Sequence, residues 1–317
     1  MSATDAWPSL EPASWAPTKR SLHLYAQMLG KLRLALAPPQ PNFAFASLAL
    51  TPRGFTTTSM PEGTRSVSAS VDVFAGELAL ETSAGRVSRI RLTGPRTIAD
   101  VYAEFLATLA DLDIAVTLSP IPQEVPDVTP FDEDRRPAAF EPLDARRWLA
   151  VVTATSGVFD RWRSHFFGRT GLQLWWGAFD FALTLFDGKH VPAPADRGYL
   201  LKYDLDAGMM NAGFFPGDDK SPATFYGYIV PQPAACDSLA VAPANASWSS
   251  ALGEWILPYD AVRTAADPEA ELVAFLDSVY GVCCSASGWD REALSYVPPP
   301  IRGPARTLAR SRRNDPS

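Results

Sequence analysis

Apolar residues along the chain follow two rhythms. Over 19–37 they recur at Leu22, Tyr25, Leu29, Leu32 and Leu36, the spacing of one helix face, and Pro38 and Pro39 stop the run. Beyond the prolines, Phe43, Phe45, Ser47 and Ala49 alternate with small residues, which predicts a strand. Stretches 67–73, 77–82 and 87–92 continue the period of two. Gly76 and Gly85 punctuate them, so they form an antiparallel meander. Thr97 and Asp100 open a capping box, after which Ile98, Val101, Tyr102, Phe105 and Leu109 mark a second helix. A short strand is expected over 114–118.

Residues 119–142 carry too many prolines for regular structure and form a connector. Helical spacing returns over 143–167, with Trp148, Val152, Phe159, Trp162 and Phe166 as core candidates and Gly168 as its stop. The run 172–188 is dense in aromatic residues and predicts paired strands. Residues 211–217 read as loop, while 224–230 and 254–257 read as strands. Asp267, Pro268 and Glu269 start a last helix with an N-cap acid and a proline at its first position.

The pattern predicts an α+β fold of two similar halves, each a mainly antiparallel sheet with packed helices, as an internal duplication would give. The expected order is an extended segment over 1–18, a first half over 19–118 and the connector over 119–142. A second half over 143–297 follows, then a basic disordered tail over 298–317.

Composition narrows the function. The chain has 317 residues, 47% hydrophobic and 20% charged, with a net charge of −7. That balance suits a globular protein and argues against nucleic acid, whose phosphates call for clustered Lys and Arg. No apolar run is long enough to span a membrane, and the first residues lack the pattern of a secretory signal, so a cytoplasmic protein is expected. Three cysteines, two of them adjacent (Cys283 and Cys284), give neither a disulfide framework nor a zinc spacing. There is no nucleophile elbow, dinucleotide fingerprint or phosphate loop.

Three groups of residues carry candidate chemistry. Asp132, Glu133 and Asp134 sit in the connector beside Arg135 and Arg136. The carboxylates could act as acid or base, or Asp132 and Asp134 could bind Mg²⁺; alternatively they form an ion-pair knot that pins the connector. Asp180 lies among Trp175, Trp176, Phe179 and Phe181, where burial would raise its pKa into the range useful for proton transfer. Simple alternation puts Trp176, Ala178, Asp180 and Ala182 on one face, and Trp175, Gly177, Phe179 and Phe181 on the other. His23, Gln27 and Lys31 form a polar stripe on the first helix, as either a pocket wall or a solvated face. His165 and His190 read as surface residues. Tyr203, Tyr226 and Tyr228 carry hydroxyls that could donate protons and equally suit strands.

Certain residues together resemble a bacterial family known as domain of unknown function 5996. They are Trp7-Pro8, Leu22-His23, Gln27, Gly30-Lys31 with Arg33, Arg53-Gly54 and the run from Pro130 to Asp134. The set continues with Trp176-Gly177, Phe179-Asp180, Ala212-Gly213-Phe214, Pro216-Gly217, Leu257-Pro258-Tyr259, Asp267-Pro268 and Gly288-Trp289. The resemblance implies no stated activity. It does imply histidines that this chain lacks. An Asn-His-Trp-Trp-His segment stands here as Asn42 to Ala46, with Phe45 inside it; Gln173 replaces another histidine, and a His-Glu near the loop that carries Phe214 is missing.

The expected function is an enzyme acting on a largely apolar or cationic small molecule in an aromatic-lined cleft between the halves. Asp180, or the acidic cluster, would supply acid–base or Mg²⁺-assisted chemistry of an isomerase, lyase or cyclase type, as in specialised metabolism. Trp176, Gln173, His23, Gln27, Lys31, Phe45 and Phe214 would contact the substrate. The alternatives are a non-catalytic binder that has lost its family's histidines, and an interaction module using the connector and exposed tryptophans. The oligomeric state is left open.

Overall fold

The computed structural model describes residues 6–10, 12–192, 203–218 and 220–297. The basic tail expected over 298–317 lies outside the described residues, as do residues 1–5.

Helix α1 (Pro12–Leu36) starts earlier than the periodicity suggested and takes in part of the segment expected to be extended. From Ser21 to Leu32 every residue is buried. A helix covered all round must place its polar side chains against partners, a demand that shapes the site described below. The N-terminal segment is no loose surface strand either. Trp7 is buried edge-on against Phe225, 6.3 Å between ring centroids, and the Tyr259 hydroxyl donates to the Pro8 carbonyl at 2.7 Å.

In place of the strand expected around Phe43 and Phe45, Pro41–Ala46 forms a short 3₁₀ turn, with Asn42 and Phe43 at positive φ. The first sheet comprises β1 (Ala49–Thr51), β2 (Gly54–Thr56), β3 (Met60–Glu62), β4 (Arg65–Asp72), β5 (Glu77–Thr82) and β6 (Val87–Arg91). Its order is β1-β2-β4-β5-β6, with β3 beside β4, and every pairing is antiparallel. Helix α2 (Ile98–Asp111) closes this half, with the expected reciprocal capping bonds between Thr97 and Asp100. Residues 114–118 form no strand.

The second half repeats the plan. Helix α3 (Pro142–Arg163) leads into β7 (Thr170–Trp175), β8 (Asp180–His190), β9 (Ala207–Phe215), β10 (Thr224–Val230), β11 (Ser247–Ser249) and β12 (Glu254–Pro258). They pair antiparallel in the order β11-β12-β10-β9-β8-β7. A short α4 (Tyr259–Arg263) and the long α5 (Pro268–Ala286) follow, the latter capped by Asp267. The glycine-bearing stretch 211–217, expected to be loop, mostly belongs to β9 inside this sheet. The fold is therefore α+β with two similar halves.

A bridge between Leu48 and Leu174, with reciprocal bonds of 2.9 Å, joins the two sheets edge to edge. The core runs through both halves. Trp148 of α3 stacks on Phe179 at 4.9 Å and meets Phe55 of β2 edge-on at 6.0 Å.

Candidate functional site

The hairpin β7–β8 is the strand pair expected over 172–188, but the simple alternation drawn through it fails. Trp176, Gly177, Ala178 and Phe179 form the turn, and Trp175 pairs across from Asp180. Paired residues share a face, so Gln173, Trp175, Asp180, Ala182 and Thr184 stand on one side, and Leu174, Phe181 and Leu183 on the other. Trp175 thereby moves to the face that carries Asp180. Phe179 leaves the strand altogether. It holds a positive φ of 61° at the end of the turn and is buried between Trp148 and the His23 ring.

The Asp180 face of the second sheet lines a cavity of about 810 Å³, the size of a small-molecule site. Trp175, Phe186, Phe215, Tyr226 and Tyr228 supply aromatic surface, and Asn211, Thr184 and Gln173 supply amides and a hydroxyl. The first half covers the opening. Asn42, Phe43 and Ala46 of the 3₁₀ turn, and Gln123 and Glu124 of the connector, complete the wall. Asn42 fastens that turn to the second half: its Nδ2 donates to the Asp204 carbonyl at 2.9 Å, and its Oδ1 accepts from Arg169. Asn42, Phe43, Glu124 and Phe179 all hold positive φ without being glycine. Each such residue costs about 1–3 kcal/mol, and strain of this kind gathers where backbone must present side chains to a site.

Asp180 sits at the floor and accepts a hydrogen bond from the Tyr226 hydroxyl. Gly213, on the strand between them, makes the bond possible: a Cβ there would run into the Tyr226 ring and hydroxyl. Burial pushes the Asp180 carboxyl up to about 6, the Glu124 charge adds to this, and the Tyr226 bond works against it. Two neighbours behave alike. Asp204 rises to about 7 through burial and then the charges of Glu124, Asp206 and Asp180. Glu254 rises to about 7 through burial and the charge of Asp180. Burial also raises Glu124 and lifts the Tyr226 and Tyr228 phenols well above their ordinary value. Near neutral pH Asp180, Asp204 and Glu254 are mixtures of acid and base forms, the condition for proton transfer in either direction.

The polar stripe of α1 is neither solvated nor part of the cavity wall. It braces the wall from behind. His23 Nε2 lies 3.0 Å from the Trp176 carbonyl and 2.8 Å from that of Gly177, which fixes this nitrogen as the donor. Burial lowers the His23 pKa to about 4 and keeps the ring neutral. Gln27 pairs with the connector as a strand would, donating to the Gln123 carbonyl at 2.7 Å and accepting from its N–H at 2.8 Å. That bond pair aims the next residue, Glu124, at the cavity beside Gly177, where a Cβ would strike its carboxylate. Lys31 is buried over the rings of Trp176 and Phe131, at 5.8 and 6.0 Å. The Trp176 indole lies against Gly30 and donates to the Ala46 carbonyl at 2.8 Å.

Other expected site residues lie elsewhere. Phe214 points to the opposite face of β9, fully buried against Phe225 and Tyr259, because the period of two separates it from Asn211 and Phe215. Phe45 is buried against Phe43, and it is Phe43 that meets the cavity. Both oxygens of Asp134 are taken by guanidinium groups. Arg136 bonds both, at 2.8 and 2.9 Å, Arg20 also bonds one, and Asp127 joins the same knot. Burial alone would raise Asp134, yet these bonds hold it below the usual carboxylate range. Asp132 and Glu133 are exposed and lie outside the cavity lining. Asp134 thus belongs to an ion-pair knot with Arg20, Arg136 and Asp127, and none of Asp132, Glu133 and Asp134 lines the cavity. Among the described residues no group of three or more His, Cys, Asp or Glu is placed to hold a metal ion, and no helix is long and apolar enough to cross a membrane. None of the nine tryptophans is exposed, which removes that part of the interaction reading.

Sequence reasoning missed Glu124, Asp204, Glu254 and Asn211. Each is a single polar residue with no motif around it, and only the covering of the sheet brings them together.

Residues 7–296 match the model of the Family of unknown function (DUF5996), and the chain belongs to that family. Neither the search of curated proteins nor that of solved structures gives a match. Positions where the resemblance implies histidine, Phe43, Ala46 and Gln173, all line the cavity.

Proposed function

We propose that the chain is a small-molecule enzyme whose cavity holds a largely apolar substrate. Asp180, steadied by the Tyr226 hydroxyl, transfers a proton to or from it in a reaction of isomerase or lyase type. One observation carries the reading: a buried carboxyl poised near 6 faces a cavity of about 810 Å³ and is bonded by a phenol. Such a carboxyl serves as base when ionised and as acid when protonated, and the aromatic walls exclude the water that would compete. The turn containing Trp176 and the connector at Glu124 act as positioned walls, with His23 and Gln27 as positioning residues behind them.

A substrate is to be sought first among molecules that co-purify with the protein, identified by mass spectrometry. Incubating each ligand with the protein in D₂O tests the chemistry. Deuterium should enter the ligand with wild-type protein and fail to enter with Asp180→Asn, while binding persists. Binding without exchange in the wild type would replace this reading with a non-catalytic binder, which the absence of cavity histidines at Phe43, Ala46 and Gln173 would then explain.

A further inference from the structure

The cavity's polar atoms are biased toward acceptors, and this bears on what it binds. The inference rests on the small-molecule reading above and names its ligand class. Five carboxylates face the space, Glu124, Asp180, Asp204, Asp218 and Glu254, and none of the described lining residues is Lys, Arg or His. Asp218 is spent on its own loop, accepting from the N–H groups of Lys220 and Ser221 at 2.8 and 2.7 Å. The other four come from separate parts of the chain, and Asp180, Asp204 and Glu254 each feel the charge of at least one of the others.

A second observation is independent of charge. Asn211 is 5% exposed and lies on the cavity face of β9. Its Nδ2 donates to Thr184 at 2.9 Å, and the Thr184 hydroxyl donates onward to Gln173 at 3.5 Å. That chain of donors leaves Asn211 Oδ1 a buried acceptor with no partner among the described residues. Leaving a buried acceptor unsatisfied is costly, and a ligand N–H would recover that cost. Carboxylates and an amide oxygen all require a donor, and the carboxylates favour a positive one. The faces of Trp175, Tyr226 and Tyr228 suit a cation and a flat apolar body alike. A bare metal ion fits poorly, since no three of these groups converge on one point and the space is far larger than an ion.

We propose that the cavity is built for a protonated primary or secondary amine on a flat apolar body, its N–H group seated on Asn211 Oδ1 within the field of Glu254, Asp204 and Asp180. Quaternary ammonium ions lack the N–H, and carboxylates and phosphates carry the wrong charge. The groups that set the pH dependence are Glu124 from the connector, Asp180 from β8, Asp204 before β9, which also faces the charge of Asp206, Tyr226 and Tyr228 from β10, and Glu254 from β12. Arg169 lies over the Phe186 ring, bonds Asn42 and feels the charge of Asp206.

Matched probes on the full chain test this by calorimetry. They are 2-phenylethylamine, its N,N,N-trimethyl derivative, 2-phenylethanol and 3-phenylpropionate, the corresponding indole series, and MgCl₂ alone. The primary amines should bind at least about tenfold more tightly than the alcohol and the quaternary ion, with the carboxylate weakest. Amine affinity should fall about tenfold from pH 8 to roughly pH 5.5, as protons compete for the carboxylates. Asn211→Leu should erase the preference for primary over quaternary amine, with circular dichroism confirming the fold, and Asn211→Asp should keep it. Equal binding of the quaternary ion, preference for alcohol or carboxylate, response to MgCl₂ alone, or no binding by any probe overturns the proposal. Deuterium exchange that survives Asp180→Asn would sink the acid–base reading while leaving the amine preference standing. Exchange into a neutral ligand would do the reverse.

Discussion

The two halves share a plan and differ in what covers the second face of each sheet. In β4 burial alternates: Val67, Ala69 and Val71 face the helices, and Ser66, Ser68, Ser70 and Asp72 stay half-exposed. That is the ordinary antiparallel sheet with one wet face. In β8, Asp180 to Phe186 are buried without a break, and β9 is buried from Gly208 to Phe214. There the 3₁₀ turn at Asn42 and the connector at Glu124 close over the outer face. One architecture thus yields a structural sheet when its outer face meets water and a walled cavity when the 3₁₀ turn and the connector roof it.

The largest expected effect tests the roof's anchor. Phe179 joins the turn to α1 through His23 and to α3 through Trp148. Phe179→Ala should lower stability by about 3–5 kcal/mol, read from a denaturant titration, and abolish ligand binding. A loss below about 1 kcal/mol would mean that the turn is held by its backbone alone.

Next comes the buried carboxyl. Asp180 has a folded pKa of about 6 against an ordinary 3.8. Its favourable contribution is complete below the unfolded value and is lost as pH rises through 6, a difference of about 3 kcal/mol by pH 8. Asp180→Asn should therefore be more stable than wild type near pH 8 and no more stable near pH 4, read from melting temperatures. His23 runs the other way. Its folded pKa of about 4 lies below the ordinary 6.5, so stability is lost as pH falls from 6.5 toward 4. Identical melting profiles for Asp180→Asn and wild type across that range would show that Asp180 is no more buried than a surface acid.

Gly213→Ala probes the fit between strands. The added methyl occupies the place of the Tyr226 ring and hydroxyl. Overpacking should cost about 1–3 kcal/mol, and displacing Tyr226 should shift the pH optimum of any exchange reaction by releasing Asp180 from its bond. An unchanged pH profile would leave Tyr226 with a packing role only.

How much of this the sequence revealed depends on how local each signal was. The meander, the capping box at Thr97 and the helix start at Asp267 were legible because each rests on residues a few positions apart. Asp180 stood out as a lone acid among aromatic side chains. The turn at Trp176 was hidden because a four-residue turn inside an apolar run leaves no break in hydrophobicity, and Trp175 was assigned to the wrong face in consequence. Gly213 suggested loop, though its reason is an aromatic ring on the next strand. Glu124, Asn211 and Glu254 had no local signature, since their meeting depends on the order of strands and on the connector's path. The stripe of His23, Gln27 and Lys31 was visible, but its purpose was not, because helical spacing cannot say that both sides of a helix are covered.

The smallest expected effect completes the comparison from the first sheet. Ser68 stands on the outer face of β4, where no turn or connector roofs it and no hydrogen bond holds its side chain among those described. Ser68→Thr adds one methyl and a β-branched carbon, which suits a pleated, half-exposed surface. Stability should change by no more than about 0.5 kcal/mol, in the favourable direction. The matching change on the roofed sheet, Thr184→Ser, removes a methyl from a buried position and loosens the hydroxyl that receives the Asn211 amide. It should cost about 1 kcal/mol and weaken amine binding with it. If both substitutions proved equally mild, the outer faces of the two sheets would be equivalent, and the roof would not be what sets the second apart.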